Sequence, residues 1–356
     1  MDAVLGSWQE RIRAAVAKGG ALCIRGSGSK DFYGEPSSGE VLDTRAYAGI
    51  VDYEPTELVL TARAGTPLGV VERAMAQAGQ MLAFEPPHFG PEATLGGAIA
   101  TGLGGPRRPY AGAARDVVLG VRVVDGRGDD LTFGGRVMKN VAGFDVSRLM
   151  TGALGTLGVI AEVSLKCLPV PRSEATRSFR LPADEAIRRV NEWGGQPLPL
   201  SGTCYVQGVL YVRWSGAAPA VETAIAKLGG DAVDDGPAFW SSIREQTHPF
   251  FASGSSGASL WRLSVKSTAP YADLGGEQLV EWGGALRWLV GARGDATRLR
   301  SWAQGHGGHA TLFRGFDKAA GVFHPLSPAM LAVQRRLKAE FDPHGVLNRG
   351  RMYASF

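Results

Sequence analysis

Between Pro86 and Lys166 the chain carries two glycine clusters set in apolar sequence. The first, EPPHFGPEATLGGAIATGLGGPRRPYAGAARD, holds Gly96, Gly97, Gly102, Gly104, Gly105 and Gly112. The second, VMKNVAGFDVSRLMTGALGTLGVIAEVSLK, holds Gly143, Gly152, Gly155 and Gly158. Such sequence is too apolar for a solvated linker and too glycine-rich for a helix interior. Glycine lets backbone approach a flat or polyphosphate ligand closely, with peptide N–H groups as the donors. Tight turns in a β-rich domain and a buried cofactor cradle are both open readings. The clustering favours the cradle.

A chain of 356 residues exceeds the size at which one core stops growing, so two domains are expected. A Pro169-Val170-Pro171 break puts the first boundary there, giving residues 1–170, then 171–315, then a C-terminal segment 316–356 that completes the first domain. Net charge is +4 and the Lys and Arg residues are scattered, which argues against a nucleic-acid footprint. Cys23, Cys167 and Cys204 are isolated, a pattern for a reducing compartment and against zinc or iron–sulfur ligation by this chain. No apolar run of membrane-spanning length occurs. The expected location is cytoplasmic, or peripheral at the inner membrane through partners.

Ser7 to Lys18 reads as an amphipathic helix with a Ser7/Glu10 capping box, followed by a strand from Ala21 to Arg25. The next loop, Arg25-Gly26-Ser27-Gly28-Ser29-Lys30, is a nest of N–H donors suited to a pyrophosphate, although a plain surface turn explains it equally well. It matches neither the Rossmann nor the P-loop pattern. Strands are expected at Leu58–Arg63, Asp116–Val124, Leu131–Phe133 and, half exposed, Gly158–Lys166, with Thr66 capping a helix that has Pro67 at its first position.

The second domain alternates expected helices (Ala183–Trp193, Ala217–Leu228, Ala238–Thr247, Asp295–Gln304) with strands (Gly202–Trp214, Leu260–Ser267, Ala285–Gly291, Ala310–Gly315). The pattern suggests an antiparallel sheet with helices on one face. Trp214, Trp240, Trp261, Trp282 and Trp288 read mostly as core anchors, with one or two free to line a cavity or a subunit contact. Leu326 to Phe341 closes the chain as a helix, followed by a tight loop at 348–352.

Four stretches in order, IRGSGSKDFYG, EPPHFGPEATLGGAIATGLGGPRRP, GGRVMKNVAGFDVSRLMTGALGTLGVI and FDPHGVLNRGRMY, resemble the vanillyl-alcohol-oxidase type of flavoproteins, whose FAD domain is shared with p-cresol methylhydroxylase. Within that group the chain is similar to the FAD-binding E subunits of bacterial glycolate oxidases. The resemblance implies an α+β fold: a two-part PCMH-type FAD-binding domain, an α+β cap and a C-terminal return. It implies FAD held by Arg25, Gly26, Ser27, Gly28, Ser29 and Lys30 at the pyrophosphate. Pro87, Thr94, Leu95, Gly96, Gly97, Thr101, Gly102 and Gly105 would pass the flavin and ribityl chain. Gly155, Gly158, Val159 and Ile160 would lie on the adenine side, and Asn348 and Arg351 near the isoalloxazine. Arg108, Tyr110 and Arg115 would be polar contacts.

Three departures bear on this. Covalent members place a histidine near the first loop, where this chain has Gly28-Ser29-Lys30, so FAD is expected to be non-covalent. Arg349 stands where the family's C-terminal loop has proline, which should loosen that loop. The metal-binding histidine run of hydroxy-acid-oxidising relatives is missing, and His306-Gly307-Gly308-His309 is a poor metal site, so no metal is expected.

Catalytic residues are therefore unassigned, and three readings follow. In the first, the chain is a redox subunit of a glycolate oxidase, working with a sister flavoprotein that oxidises the small 2-hydroxy acid and an iron–sulfur subunit that accepts electrons. In the second it is a self-sufficient dehydrogenase using His324 or His88 as base and Arg314 or Arg351 as carboxylate clamp. In the third it is a scaffold without flavin, which the retained glycines disfavour.

Overall fold

The computed structural model describes residues 2–135, 145–252, 258–291, 296–315 and 317–356. Gly143, with most of the GGRVMKNVAGF stretch, lies outside the described residues, as does Asp295. The chain forms two compact units, one of residues 1–103, 113–170 and 325–356, the other of 104–112 and 171–324. Residues 104–112, expected in the first domain, thus pack with the second, which extends to His324 instead of ending at 315.

The first unit is built on a five-stranded antiparallel sheet in the order Ile50–Glu54, Val59–Arg63, Val159–Lys166, Val118–Val124, Asp130–Gly134. Val159–Lys166 is its central strand. The expectation of a half-exposed strand fails there because both faces are covered. Val159 and Ala161 pack with Trp8 and Ile12, while Val163 and Leu165 pack with Val71, Phe84 and Ile99. The N-terminal helix spans Asp2–Lys18, beginning before Ser7 because Leu5 extends its buried face. A parallel pair, Leu22–Arg25 with Glu40–Asp43, carries the chain into the Gly26–Lys30 loop.

Local chemistry corrects several other expectations. Thr66 does not cap the following helix, which runs Leu68–Gln77; its hydroxyl bonds Gly49 instead, at 2.9 Å from the amide nitrogen. Asp116 and Val117, expected to begin a strand, instead end a helical turn, Ala114–Val117, in which the Asp116 carboxylate accepts the Ala113 N–H at 2.9 Å. The first glycine cluster contains a helix, Leu95–Thr101, despite its poor propensity.

In the second unit eight antiparallel strands are ordered Asp231–Ala232, Ser173–Arg180, Val209–Gly216, Leu200–Val206, Glu277–Glu281, Leu286–Val290, Leu260–Ser264, His309–Arg314. The long strand expected over Gly202–Trp214 is a hairpin. Gln207 (φ 49°) and Gly208 (φ 79°) turn it, both left-handed as a two-residue hairpin loop requires. Helices cover both faces of this sheet, not one. Val212 and Trp214 meet the Ala183–Gly194 and Ala218–Leu228 helices, whereas Tyr211 and Arg213 meet Phe239 and Trp240 of the Gly236–Arg244 helix. All five tryptophans singled out above are at most 5% exposed, so none of them offers apolar surface to a ligand or subunit. Among the described residues no helix is long and apolar enough to cross a membrane.

Candidate functional site

A groove in the first unit, with an empty volume of about 720 Å³ including its open mouth, is walled by four strips of chain. Ile24 to Asp31 form one wall, Thr94 to Thr101 a second, Leu154 to Ile160 a third, and Asn348 with Arg351 the fourth. Thr44 and Ala64 complete it.

The Leu95–Thr101 helix is possible because of two contacts. The Thr94 hydroxyl accepts the Gly97 N–H at 3.2 Å as N-cap, and the Gly96 N–H reaches Ala64 O at 2.7 Å. A Cβ on Gly96 would lie 2.7 Å from the Ala64 Cβ, so this glycine is a packing residue; a Cβ on Gly97 would meet only Thr94 Oγ1, at 3.2 Å. A Cβ at Gly26 would lie 2.5 Å from Thr94 Oγ1, and one at Gly155 2.7 Å from Asn348 Nδ2. Gly28 sits at φ +80° with the Arg25 guanidinium against it. These walls are close-packed backbone, the geometry that suits a slender polyphosphate or a flat ring rather than a bulky side-chain-lined pocket.

The C-terminal wall is tied on by side chains. Asn348 accepts the Ile24 N–H at 2.7 Å and donates to Leu154 O at 2.6 Å. Arg351 donates to the carbonyls of Tyr33 (2.5 Å), Glu35 (2.6 Å) and Asp31 (3.0 Å). Burial lowers its pKa from the usual arginine value, with Asp31 among the opposing charges. Arg351 therefore latches the loop that follows Lys30, and its donors are spent on backbone instead of on a carboxylate clamp. Arg349 does not leave this loop loose, because its Nε bonds Gly345 O at 2.7 Å. Behind the wall, the buried ammonium of Lys338 donates to Asp342 (2.6 Å), Thr156 O (2.7 Å) and Leu347 O (2.8 Å). Burial lowers the Lys338 pKa, and Asp342 opposes that shift.

The groove thus brings together Arg25, Gly26, Ser27, Gly28, Ser29, Lys30, Thr94, Gly96, Gly97, Thr101, Gly155, Gly158, Ile160, Asn348 and Arg351 from the expected set. Leu95 and Val159 face the core, and Pro87 is buried beside His88. Gly102 is the left-handed C-cap of the helix and Arg115 is exposed on the Ala114–Val117 turn. Gly105, Arg108 and Tyr110 belong to the second unit. There Gly105 O accepts the Trp282 indole N–H at 3.1 Å and Arg108 lies 4.4 Å from the Trp282 ring centroid. Tyr110, hydrogen-bonded to Thr203, has its pKa pushed up to about 12, chiefly by burial.

Sequence reasoning did not single out Ile24, Asp31, Thr44, Ala64, Ala100 or Leu154 as lining residues. Only Asp31 had a signal, its place directly after the Gly/Ser loop. Of the proposed bases, His88 has its Nε2 3.0 Å from a Glu72 carboxylate oxygen, and His324 in the second unit has its pKa lowered by burial and then by Arg300. The His306 ring is held by Trp302, at 2.8 Å from its carbonyl. No group of three or more His, Cys, Asp or Glu is placed to hold a metal among the described residues.

Comparison with known proteins gives the same region a lineage. Residues 7–134 match the FAD binding domain family. Over 345 residues the chain is 49% identical to glycolate oxidase subunit GlcE of Escherichia coli K12, covering 97% of this chain and 96% of that protein. The chain belongs to the GlcE family. Its GlcE-type sequence also shares 42% identity over 83 residues with glycolate oxidase subunit GlcD of Bacillus subtilis, covering 23% of this chain and 18% of that one. The fold is that of an alkyldihydroxyacetonephosphate synthase structure, at TM-score 0.65 and 16% identity over 96% of this chain and 73% of that one. The relatives' names describe subunits of a multi-subunit glycolate oxidase, and this GlcE-family chain carries the FAD binding domain over residues 7–134.

Proposed function

We propose that the chain binds FAD non-covalently in the groove of its first unit and takes part in electron transfer from glycolate or D-lactate oxidation. In this reading a sister flavoprotein subunit oxidises the hydroxy acid and an iron–sulfur subunit receives the electrons. The observation that carries it is the groove itself: backbone of the Gly26–Lys30 loop facing the Thr94–Thr101 segment, with Gly26 so close that a Cβ there would lie 2.5 Å from Thr94 Oγ1. FAD supplies two-electron redox chemistry when bound. The chain's own residues hold it: the loop amides and Arg25 at the diphosphate, Gly97 and Thr101 along the chain to the ring. Among the described residues, every residue lining the groove is Gly, Ala, Ile, Leu, Ser, Thr, Asp, Asn, Lys or Arg. None of these is the histidine that covalent relatives use, which supports non-covalent binding.

The relay reading is favoured over the self-sufficient one because Arg351 is committed to backbone carbonyls and His88 faces Glu72. A hydroxy-acid site needs both a base and a carboxylate clamp. The test has two stages. The purified chain should be yellow, and acid precipitation should leave FAD in the supernatant; flavin in the pellet overturns non-covalent binding, and a chain that takes up no FAD overturns the cofactor. Anaerobic mixing with glycolate should then leave the flavin band unbleached until the partner subunits are added. Bleaching by the isolated chain would establish the self-sufficient dehydrogenase instead.

A further inference from the structure

Among the described groove-lining residues Asp31 is the one acid. Its carboxylate lies 2.6 Å from Arg25 Nη2, and the two side chains are 52% and 47% exposed. The guanidinium lies against Gly28, where a Cβ would come within 2.5 Å of Nη2. An acid at this place is unexpected if the loop's task is to receive an anion.

The other two cations of the lining have backbone partners. Lys30 Nζ bonds His88 O at 3.0 Å, and Arg351 bonds the carbonyls named above. Arg25 is the lining cation whose side chain forms an ion pair with a groove-lining acid, while Arg351 feels Asp31 but spends its donors on carbonyls. Asp31 is also held independently of its carboxylate, since its N–H bonds Gly28 O at 3.0 Å and its own carbonyl accepts from Arg351. The loop's path does not need the acid.

We propose that Asp31 tempers the affinity of the groove for a dinucleotide diphosphate: it repels the anion and competes with it for the Arg25 guanidinium. This rests on the proposal that the groove takes FAD. Chemically, a diphosphate entering the Gly26–Lys30 loop shares Arg25 with a carboxylate that neutralises it. The effect is electrostatic at a partly exposed site, so it is modest and screened by salt. The groove gives up affinity and gains faster exchange of its ligand.

The test is a titration of apo-protein with FAD, read by flavin fluorescence, with ADP as a competing diphosphate. Asp31→Asn should lower the Kd for FAD about three- to tenfold at low ionic strength and improve ADP competition in parallel. Near 0.5 M salt the gain should shrink below about twofold. Arg25→Gln should raise the Kd about tenfold, and adding Asp31→Asn to it should recover less than the single change gains. Asp31→Ser serves as a second variant that cannot rebuild the contact with Arg25, and thermal unfolding of each apo-variant controls for folding. Equal or weaker FAD binding by both folded Asp31 variants overturns the inference while leaving the cofactor assignment intact. A wild-type chain that binds no FAD overturns the assignment itself.

Discussion

The side-chain carbonyl of Asn348 accepts the backbone N–H of Ile24 at 2.7 Å, across 324 positions of sequence, while its amide donates to Leu154 O. One buried residue thus joins three of the four groove walls. It does so from φ +40°, a left-handed conformation that asparagine tolerates better than most residues. Asn348→Ala would leave a partly buried N–H and a buried C=O unpaired. The expected loss is about 2–4 kcal/mol in urea unfolding, with flavin lost in parallel. Arg335→Ala, on an exposed helical face, should change stability by less than about 0.5 kcal/mol. Equal effects of the two changes would remove Asn348 from its structural role.

Adjacent glycines should separate folding from binding. Gly96→Ala drives a methyl into Ala64 at 2.7 Å and should cost about 1–3 kcal/mol. Gly97→Ala has room except at Thr94 Oγ1; it should keep or slightly raise the melting temperature through better helix propensity, yet weaken FAD binding. The reverse assignment of the two effects would mean that the groove face of this helix has been misread.

The thiols should differ sharply in reactivity. Burial pushes the Cys167 pKa up to about 11, and Cys204 is raised well above its ordinary value by burial first and Glu281 second. Cys23 is partly accessible and lies 3.2 Å from the Ser37 hydroxyl. A native-state titration with a disulfide reagent at neutral pH should consume the Cys23 thiol alone, and denaturation should release the other two. Rapid native reaction of Cys204 would contradict its burial.

Tyr110 supplies a test in the second unit. Its folded pKa of about 12 stands above the ordinary 10.0, so the stability it contributes is intact below pH 10 and declines as pH rises toward and through 12. Tyr110→Phe should remove a late step from the tyrosinate absorbance titration and flatten the stability loss in that window. An unchanged titration would show that the hydroxyl ionises with the solvent-exposed tyrosines.

These particulars mark what could be read from sequence. The Arg25–Lys30 loop was legible as a turn after a strand from its alternating Gly and Ser, whereas what that turn binds was left open between a surface turn and a diphosphate nest. The Leu95–Thr101 helix was not, since Gly96 and Gly97 oppose a helix locally and only the Ala64 contact and the Thr94 cap reward it. Gly104 and Gly105 looked continuous with that cluster, yet Arg107 pairs with Glu174 at 2.7 Å and Trp282 bonds Gly105 O, which draws the segment into the second unit. The Gln207-Gly208 turn was masked by the β-rich residues on both sides. Asn348 and Arg351 entered through family resemblance; their hydrogen bonds to distant carbonyls and amides leave no mark on local patterning.

The span between Ile24 and Asn348 has a consequence for how the protein is made. On the ribosome the Gly26–Lys30 loop and the Leu95–Thr101 helix emerge with one side of the cradle still untranslated. Until Asn348 and Arg351 arrive, the Ile24 amide, the Leu154 carbonyl and the carbonyls after Lys30 have only water for partners. A nascent chain stalled before Asn348 presents a trough without its fourth wall, so a chain truncated there is expected to retain less FAD than the full chain.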